Sequence, residues 1–124
     1  MPSKVFSFPS SQRLKRRGDI EALLKGGRWA VEGPVRYCFI REASSGGEGA
    51  RLLVTAPKKL FRRAVKRNLL KRRLREAYRL EKAGRKLEKV DLLLAYNSKE
   101  IVDFQAIRLS VAAILERIEN EGKL

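Results

Sequence analysis

The side chains of this sequence that are best suited to binding a ligand are cations gathered in one segment. Residues 58 to 79 carry eleven lysines and arginines against a single acid, Glu76. Lysine and arginine neutralise phosphate groups, whereas a solvated helix surface ordinarily mixes both signs to gain pairs four residues apart. The segment therefore predicts a phosphate-binding surface, with a solvated helix face as the alternative.

The net charge of the chain is concentrated rather than spread. The formal net charge is +15, from 29 lysines and arginines and 14 acids. Residues 1 to 17 contribute +5 and residues 58 to 79 contribute +10, so the rest of the chain is balanced. This concentration favours a defined docking face for a polyanion. Charge alone leaves nucleic acid and an anionic membrane surface both open.

Side chains suited to catalysis or metal binding are scarce. The sequence has no histidine and one cysteine, Cys38, which removes the commonest general base and excludes an internal disulfide or a zinc finger. The acids are scattered and form no recognisable magnesium pair, as in Asp19, Glu76, Asp91 and Asp103. The glycines of residues 46 to 49 lack the Lys-Ser or Lys-Thr of a phosphate loop. We expect no catalytic residue in this chain, and the sequence leaves metal ligation open.

One long helix is predicted to present the cations. Neither glycine nor proline occurs between Pro57 and Gly84, which permits a helix from about residue 61 to 82. At about 100° per residue, one apolar side faces the core: Leu70, Leu74, Ala77 and Tyr78. Beside it lies what we call the cationic stripe: Lys71, Lys82, Arg75, Asn68, Arg79 and Arg72. Arg67 lies at the border between the two.

Two alternatives concern this helix. Asn68 is either a tolerated surface residue or a group that donates to a phosphate or a 2′-hydroxyl, and its place among cations favours the second. A basic amphipathic helix can also lie on a membrane surface, but this apolar side lacks tryptophan and phenylalanine. RNA or DNA is therefore favoured over lipid.

The remaining pattern predicts one α+β domain over residues 1 to 124. We expect a helix over residues 19 to 25, strands over 35 to 40, 51 to 55 and 90 to 96, and a final helix capped by Asp103. Residues 29 to 31 allow a first short strand. The strands at 35 to 40 and 51 to 55 predict a hairpin joined by the glycine-rich turn, and 90 to 96 predicts a buried central strand.

The ends of the chain and its longest apolar runs bear on its compartment. Residues 1 to 12 are predicted to be a flexible arm and residues 120 to 124 a flexible tail. The apolar runs are far shorter than the roughly 20 residues of a membrane span, and the first residues lack the pattern of a secretory signal. We therefore expect a cytoplasmic protein.

A family resemblance is carried by residues 56 to 78, which read APKKLFRRAVKRNLLKRRLREAY. They resemble the signature of the bacterial ribonuclease P protein subunit, in which a Lys-Lys pair leads to Ala-Val, an Arg-Asn-Arg motif and Lys-Arg. The opening of the chain is similar to the family's own opening, with Arg13-Leu14-Lys15-Arg16, Asp19-Ile20 and Lys25-Gly26-Gly27. The resemblance covers about nine tenths of the chain.

The resemblance implies a fold and a function. The implied fold is a single two-layer domain with a four-stranded mixed sheet, helices on one face and a left-handed βαβ crossover, as in domain 2 of ribosomal protein S5. The implied function is that of an accessory subunit whose RNA partner, ribonuclease P RNA, removes the 5′ leader of precursor tRNA with Mg²⁺ at the RNA active site. No cofactor bound by a protein motif, no membrane and no DNA partner are implied.

The resemblance also implies two groups of site residues. The RNA-binding group is Lys58, Lys59, Arg63, Arg67, Asn68, Lys71, Arg72, Arg75 and Arg79. The group for the leader, in a cleft between the first helix and the sheet, is Arg13, Lys15, Ile20, Leu24, Lys71 and Arg75.

The chain departs from the family pattern at two places. Leu69 replaces the second arginine of Arg-Asn-Arg, and Ile20 and Leu24 stand where aromatic residues often occur, which weakens stacking with the leader. Strand alternation leaves open which face of residues 35 to 40 is wet, although a core role is favoured for Tyr37 and Phe39. The competing functions are a ribosomal or ribosome-assembly RNA-binding protein and a nuclease active alone.

Overall fold

The computed structural model describes residues 13, 14, 16–41, 50–85, 87 and 89–121 of the chain. The helices and strands follow the predicted order, which confirms the α+β class. They are α1 (Arg17–Gly26), β1 (Arg28–Glu32), β2 (Val35–Arg41), β3 (Arg51–Thr55), α2 (Ala64–Lys82), β4 (Val90–Tyr96) and α3 (Phe104–Glu121).

The four strands form one mixed sheet in the order β1-β2-β4-β3. The first two pairs are antiparallel, and β3 pairs with β4 in parallel. All seven residues of β4 are buried, which confirms the predicted central strand and explains its nearly continuous apolar sequence, because helices cover both faces. With α2 between them in sequence, β3 and β4 supply the βαβ unit of the implied fold.

The predicted hairpin between residues 35 to 40 and 51 to 55 is wrong. β4 lies between β2 and β3, so β2 forms its hairpin with β1 instead. The two residues of that turn are Gly33 and Pro34, which is a favoured hairpin loop length. Gly33 has a φ of +58°, and a Cβ there would lie 2.7 Å from the Ser110 hydroxyl oxygen, so glycine suits this turn. The glycine-rich segment expected to join the hairpin lies at 42–49, outside the described residues.

The main core lies between one face of the sheet and the helices α2 and α3. Alternate residues of β2 and β4 enter it, because successive side chains of a strand point to opposite faces. Its members from these strands include Tyr37, Phe39, Leu92 and Leu94. Tyr37 and Phe39 are therefore core residues, as favoured from the sequence.

α1 packs on the opposite face of the sheet, so the expectation that all helices share one face is wrong for this helix. A second, smaller cluster consists of Leu14, Leu23, Cys38 and Leu93. Cys38 and Leu93 occupy the intervening positions of β2 and β4, and their apolar side chains require cover on this face too. We call this side of the sheet the α1 face.

A buried ionic group, which we call the Arg51 bridge, fastens the start of α1 to the sheet. Arg51 on β3 donates from Nε and Nη2 to the carboxylate of Asp91 on β4, at 2.8 and 2.7 Å. Its Nη1 donates to Asp19 on α1 at 3.1 Å. The side chains of all three residues are largely buried. The bridge thus joins two strands and a helix that lie far apart in sequence.

The ends of the longer helices differ slightly from those predicted. α2 begins three residues after position 61, because the N–H groups of Leu60 and Phe61 donate to the Pro57 carbonyl and form a turn first. Asp103 caps α3 as predicted, by accepting a bond of 2.9 Å from the N–H of Ala106. α3 continues to Glu121, two residues into the predicted tail. Within the described ranges, no helix combines the length and hydropathy needed to cross a membrane.

Candidate nucleic-acid interface

The two sides of α2 lie where the helical periodicity predicts. Its buried residues are Leu70, Leu74, Ala77 and Tyr78, the four assigned to the core side. Within the cationic stripe, Asn68 and Arg72 are exposed and Lys71 and Arg75 are half-buried. The stripe therefore lies on the surface of the molecule, where a phosphate backbone can reach it.

The turn before α2 extends this surface. Lys58 and Lys59 lie in the turn and are exposed, and Arg63, also exposed, is the N-cap residue. Arg67 has a second task, since its Nη1 donates to the carbonyls of Phe61 and Arg62 at 2.9 and 2.7 Å. This guanidinium thus closes the loop that enters α2, and its contact with RNA stays a prediction.

The N-terminal segment brings a further cation to the stripe. Arg13 forms a parallel bridge with Leu52, and the N–H of Leu14 donates to the Leu52 carbonyl at 3.1 Å. Burial lowers the pKa of Arg75, and the positive charge of Arg13 lowers it further. Arg13 and Arg75, both assigned to the leader, therefore lie close enough to repel each other, a repulsion that an anion between them would relieve. Lys15, from the same group, is outside the described residues.

The cations at the C-terminal end of the stripe contact neighbouring side chains of α2. Arg79 forms an ion pair with Glu76, three residues earlier, with its Nε donating at 3.2 Å. The Lys82 ammonium lies 5.8 Å from the centre of the Tyr78 ring, and burial lowers the pKa of Lys82. These contacts make the first two turns of the stripe its most available part for phosphate.

The α1 face is covered by α1 only in part. Arg36 is exposed there and Ile40 is half-buried, whereas Cys38 is covered by α1. Ile20 packs against the small cluster and Leu24 remains 43% exposed. Of the two α1 residues assigned to the leader, Leu24 thus presents the larger apolar surface, and neither presents an aromatic ring.

Cys38 illustrates how closely α1 lies on the sheet. Its thiol donates to the Leu23 carbonyl at 3.4 Å, and burial raises the pKa of this thiol to about 11. A Cβ on Gly27 would lie 2.5 Å from both the Cys38 sulfur and the Leu23 carbonyl oxygen. Because glycine has no Cβ, Gly27 permits this close contact where the chain leaves α1 and enters β1.

Two acids that are distant in sequence lie close together in the fold because both pair with one arginine. These acids are Asp19 and Asp91, and both pair with the Arg51 guanidinium. No group of three or more histidine, cysteine, aspartate or glutamate side chains that could hold a metal ion occurs in the described part of the chain. The arrangement places cations suited to anions along α2 and partly exposed apolar side chains, such as Leu24, on the α1 face.

Sequence reasoning missed two features of this face. One is the Arg51 bridge, and the other is Trp29, whose ring lies 4.4 Å from the Arg36 guanidinium carbon. Both pair residues on different strands, so no local spacing reveals them. For Trp29 and Arg36, the alternation of β1 and β2 was a signal, because cross-strand partners share a face.

The fold and this surface define an α+β protein that presents a cationic helix, suited to phosphate groups, beside a four-stranded mixed sheet. The family model for ribonuclease P matches residues 8–119. The chain belongs to the ribonuclease P protein family.

Individual relatives agree with this assignment. The chain is similar to the ribonuclease P protein component of Porphyromonas gingivalis, at 40% identity over 78 residues, which cover 63% of this chain and 57% of that protein. The match therefore spans less than two thirds of that relative's length. The corresponding component of Geobacter sp. strain M21 is 31% identical over 115 residues, covering 93% of this chain and 95% of that protein.

Solved structures agree with the fold. The ribonuclease P protein from Thermotoga maritima superposes with a TM-score of 0.72 at 28% identity, covering 86% of this chain and 97% of that one. The Staphylococcus aureus protein gives the same TM-score at 22% identity, covering 87% and 95%, and supports the fold alone. The single domain with a four-stranded mixed sheet is thus confirmed.

Proposed function

We propose that this chain is the accessory protein subunit of ribonuclease P in the cytoplasm. It binds the ribonuclease P RNA and the 5′ leader of precursor tRNA, and it supports endonucleolytic removal of the leader by the RNA. The observation that carries this proposal is the cationic stripe of α2 in a chain of the ribonuclease P protein family, with Asn68 and Arg72 exposed and Lys71 and Arg75 half-buried. Arg13, which pairs with Leu52 at the β3 edge of the sheet, adds a further cation.

Each part of this surface has a distinct task. Asn68, Lys71 and Arg72 hold RNA phosphates along the first turns of α2, with Lys58, Lys59 and Arg63 extending the contact at the turn. Charged hydrogen bonds from arginine are the stronger ones, because the guanidinium fork matches two phosphate oxygens. Arg13 and Arg75 guide the leader from the stripe towards Ile20 and Leu24.

Chemistry at the scissile phosphate belongs to the RNA partner in this proposal. Asp19 and Asp91 are both held by Arg51, and Glu81 and Glu119 both pair with Arg85, which leaves these acids poor donors for a metal ion. We place the Mg²⁺ of the reaction at the RNA active site. The protein contributes binding energy and charge neutralisation, which bring two polyanions together.

A cleavage assay tests the proposal. Precursor tRNA is incubated at near-physiological salt with the partner RNA alone, the protein alone and the two together, and release of the leader is followed. We expect the protein to raise RNA-dependent cleavage and to cleave nothing alone. Cleavage by the protein alone would instead identify a nuclease. Absence of any stimulation would favour the alternative of a ribosomal or assembly RNA-binding protein.

A further inference from the structure

Large apolar side chains are exposed at the β1 edge of the α1 face. Leu24 at the end of α1 is 43% exposed, and on β1 Trp29 is 40% and Val31 54% exposed. The indole N–H of Trp29 reaches the Leu24 carbonyl at 3.5 Å. Trp29 pairs with Cys38, and Val31 pairs with Arg36, so these side chains share the face that carries α1.

A cation completes this patch. The guanidinium carbon of Arg36 lies 4.4 Å from the centre of the Trp29 ring, within the range of a cation–π contact. Arg36 is itself exposed. The nearest acid on β1, Glu32, pairs instead with Arg117 of α3, on the other side of the sheet. We call Leu24, Trp29, Val31 and Arg36 the β1 edge patch.

The composition of the patch indicates what it binds. Within the described part of the chain no ion pair to Arg36 occurs, and an indole ring beside such a guanidinium suits a flat, electron-rich group attached to an anion, which describes a nucleotide. An acidic protein would meet the charge of Arg36 but would gain little from a single aromatic ring. The +15 charge of the chain also favours nucleic acid.

The position of the patch suits an unpaired strand rather than a duplex. Arg13 and Leu14 lie beside β3, at the opposite edge of the same sheet. Adjacent strands are about 4.8 Å apart, so the four spacings from Arg13, which pairs on the outer side of β3, to β1 amount to roughly 19 Å. An extended strand that leaves the stripe at Arg13 and crosses the α1 face therefore reaches Trp29.

We propose that Trp29 and Arg36 form a stacking subsite for one unpaired nucleobase of the strand that crosses the α1 face. The proposal rests on the proposed function, in which that strand is the leader of precursor tRNA. It assigns aromatic stacking in this chain to β1, whereas the two α1 positions, Ile20 and Leu24, offer only aliphatic contact. Since every base has a π-face, we expect the subsite to tolerate any base.

The fluorescence of the free protein gives a direct test, because Trp29 is the only tryptophan in the chain. The probe is a short single-stranded RNA with the leader sequence, together with copies that each carry one abasic site at a different position. We expect the intact RNA to quench the emission of Trp29 and one abasic copy to quench it much less. Binding of the RNA with unchanged emission would overturn the proposal.

Variants of the subsite give the second test, in the assembled complex with the partner RNA. Trp29→Ala should weaken binding of precursor tRNA about 5- to 150-fold, the range that stacking of one base on an aromatic ring provides. Trp29→Phe should retain most of the affinity. Binding of mature tRNA, which has no leader, should not change in either variant.

The matched control is Leu109→Ala, which truncates a side chain of α3 that is 71% exposed. It should leave precursor binding unchanged. Equal affinities of wild type and Trp29→Ala for precursor tRNA would refute the subsite, and so would equal losses for precursor and mature tRNA. If the wild-type protein still stimulates cleavage in that case, the proposed function stands and only the subsite fails.

Discussion

Removing two charges from the centre of the cationic stripe should change how RNA binding responds to salt. Lys71 and Arg75 are half-buried on α2, next to the exposed Arg72. We expect Lys71→Ala/Arg75→Ala to weaken binding of the partner RNA and of precursor tRNA. The loss should be greatest at low salt, because each phosphate contact releases counterions from the nucleic acid.

The magnitude follows from the number of contacts removed. Each phosphate contact contributes about 0.7 to 0.9 to the slope of log affinity against log salt, so two contacts contribute about 1.4 to 1.8. Between about 50 and 200 mM salt, the wild-type affinity should therefore fall roughly 7- to 12-fold more than that of the variant. Across the same range, six to ten contacts would lower the wild-type affinity about 10³- to 10⁵-fold.

The fold should survive this double substitution. Alanine is the best helix former, and neither side chain belongs to the buried side of α2. Loss of Arg75 also removes its repulsion with Arg13, the second cause of its lowered pKa. Thermal unfolding should therefore occur at or slightly above the wild-type midpoint, which separates a binding defect from a folding defect.

The assay is a filter-binding or anisotropy titration at several salt concentrations, with Lys89→Ala/Lys99→Ala as control. Lys89 and Lys99 are exposed just outside the two ends of β4, so this variant loses the same charge away from α2. Its salt slope should match that of the wild type. Equal slopes for all three proteins would refute the assignment of the stripe to phosphate contacts.

Three further substitutions test residues that hold α1 and α2 in place or lie beside the cationic stripe. Leu74→Ala should cost about 2 to 5 kcal/mol of stability, because Leu74 is fully buried in the main core; an unchanged thermal midpoint would contradict this. Arg51→Met leaves the buried Asp91 unpaired and should cost about 3 to 5 kcal/mol. It should also speed alkylation of Cys38 beneath α1, and an unaltered alkylation rate would show that the Arg51 bridge does not hold the helix. Leu69→Arg should tighten RNA binding with little change in stability, since Leu69 is 37% exposed; weaker binding with a lower midpoint would make Leu69 structural.

The features predictable from the sequence are those that a single element defines. The burial of Leu70 and Leu74 follows from a period of 3.6 residues along one helix, whatever the helix packs against. The burial of β4 follows from seven adjacent residues, and the cap at Asp103 depends on the next turn alone. In each case the physical cause acts within a few residues, so the pattern in the chain is sufficient.

The errors arose where the partner of a strand had to be chosen. β2 and β3 are successive in sequence, and successive strands often pair, yet the doubly buried β4 lies between them. A strand that is apolar on both faces is most stable in the middle of the sheet, where strands on both sides pair with its backbone N–H and C=O groups. With β4 in the middle, the sheet has a second apolar face at Cys38 and Leu93, which α1 covers.

Arg75 of the candidate site shows the same difference between what the sequence predicts and what only the fold determines. The place of Arg75 on the cationic stripe follows from its angle around α2, but its nearness to Arg13 requires the N-terminal segment to lie along β3. That placement depends on Leu14 entering the cluster beneath α1, which in turn needs β4 beside β3. A helical period can therefore identify which cations lie on the exposed side of α2, whereas only the sheet topology determines that cations of two distant segments lie near enough to influence each other.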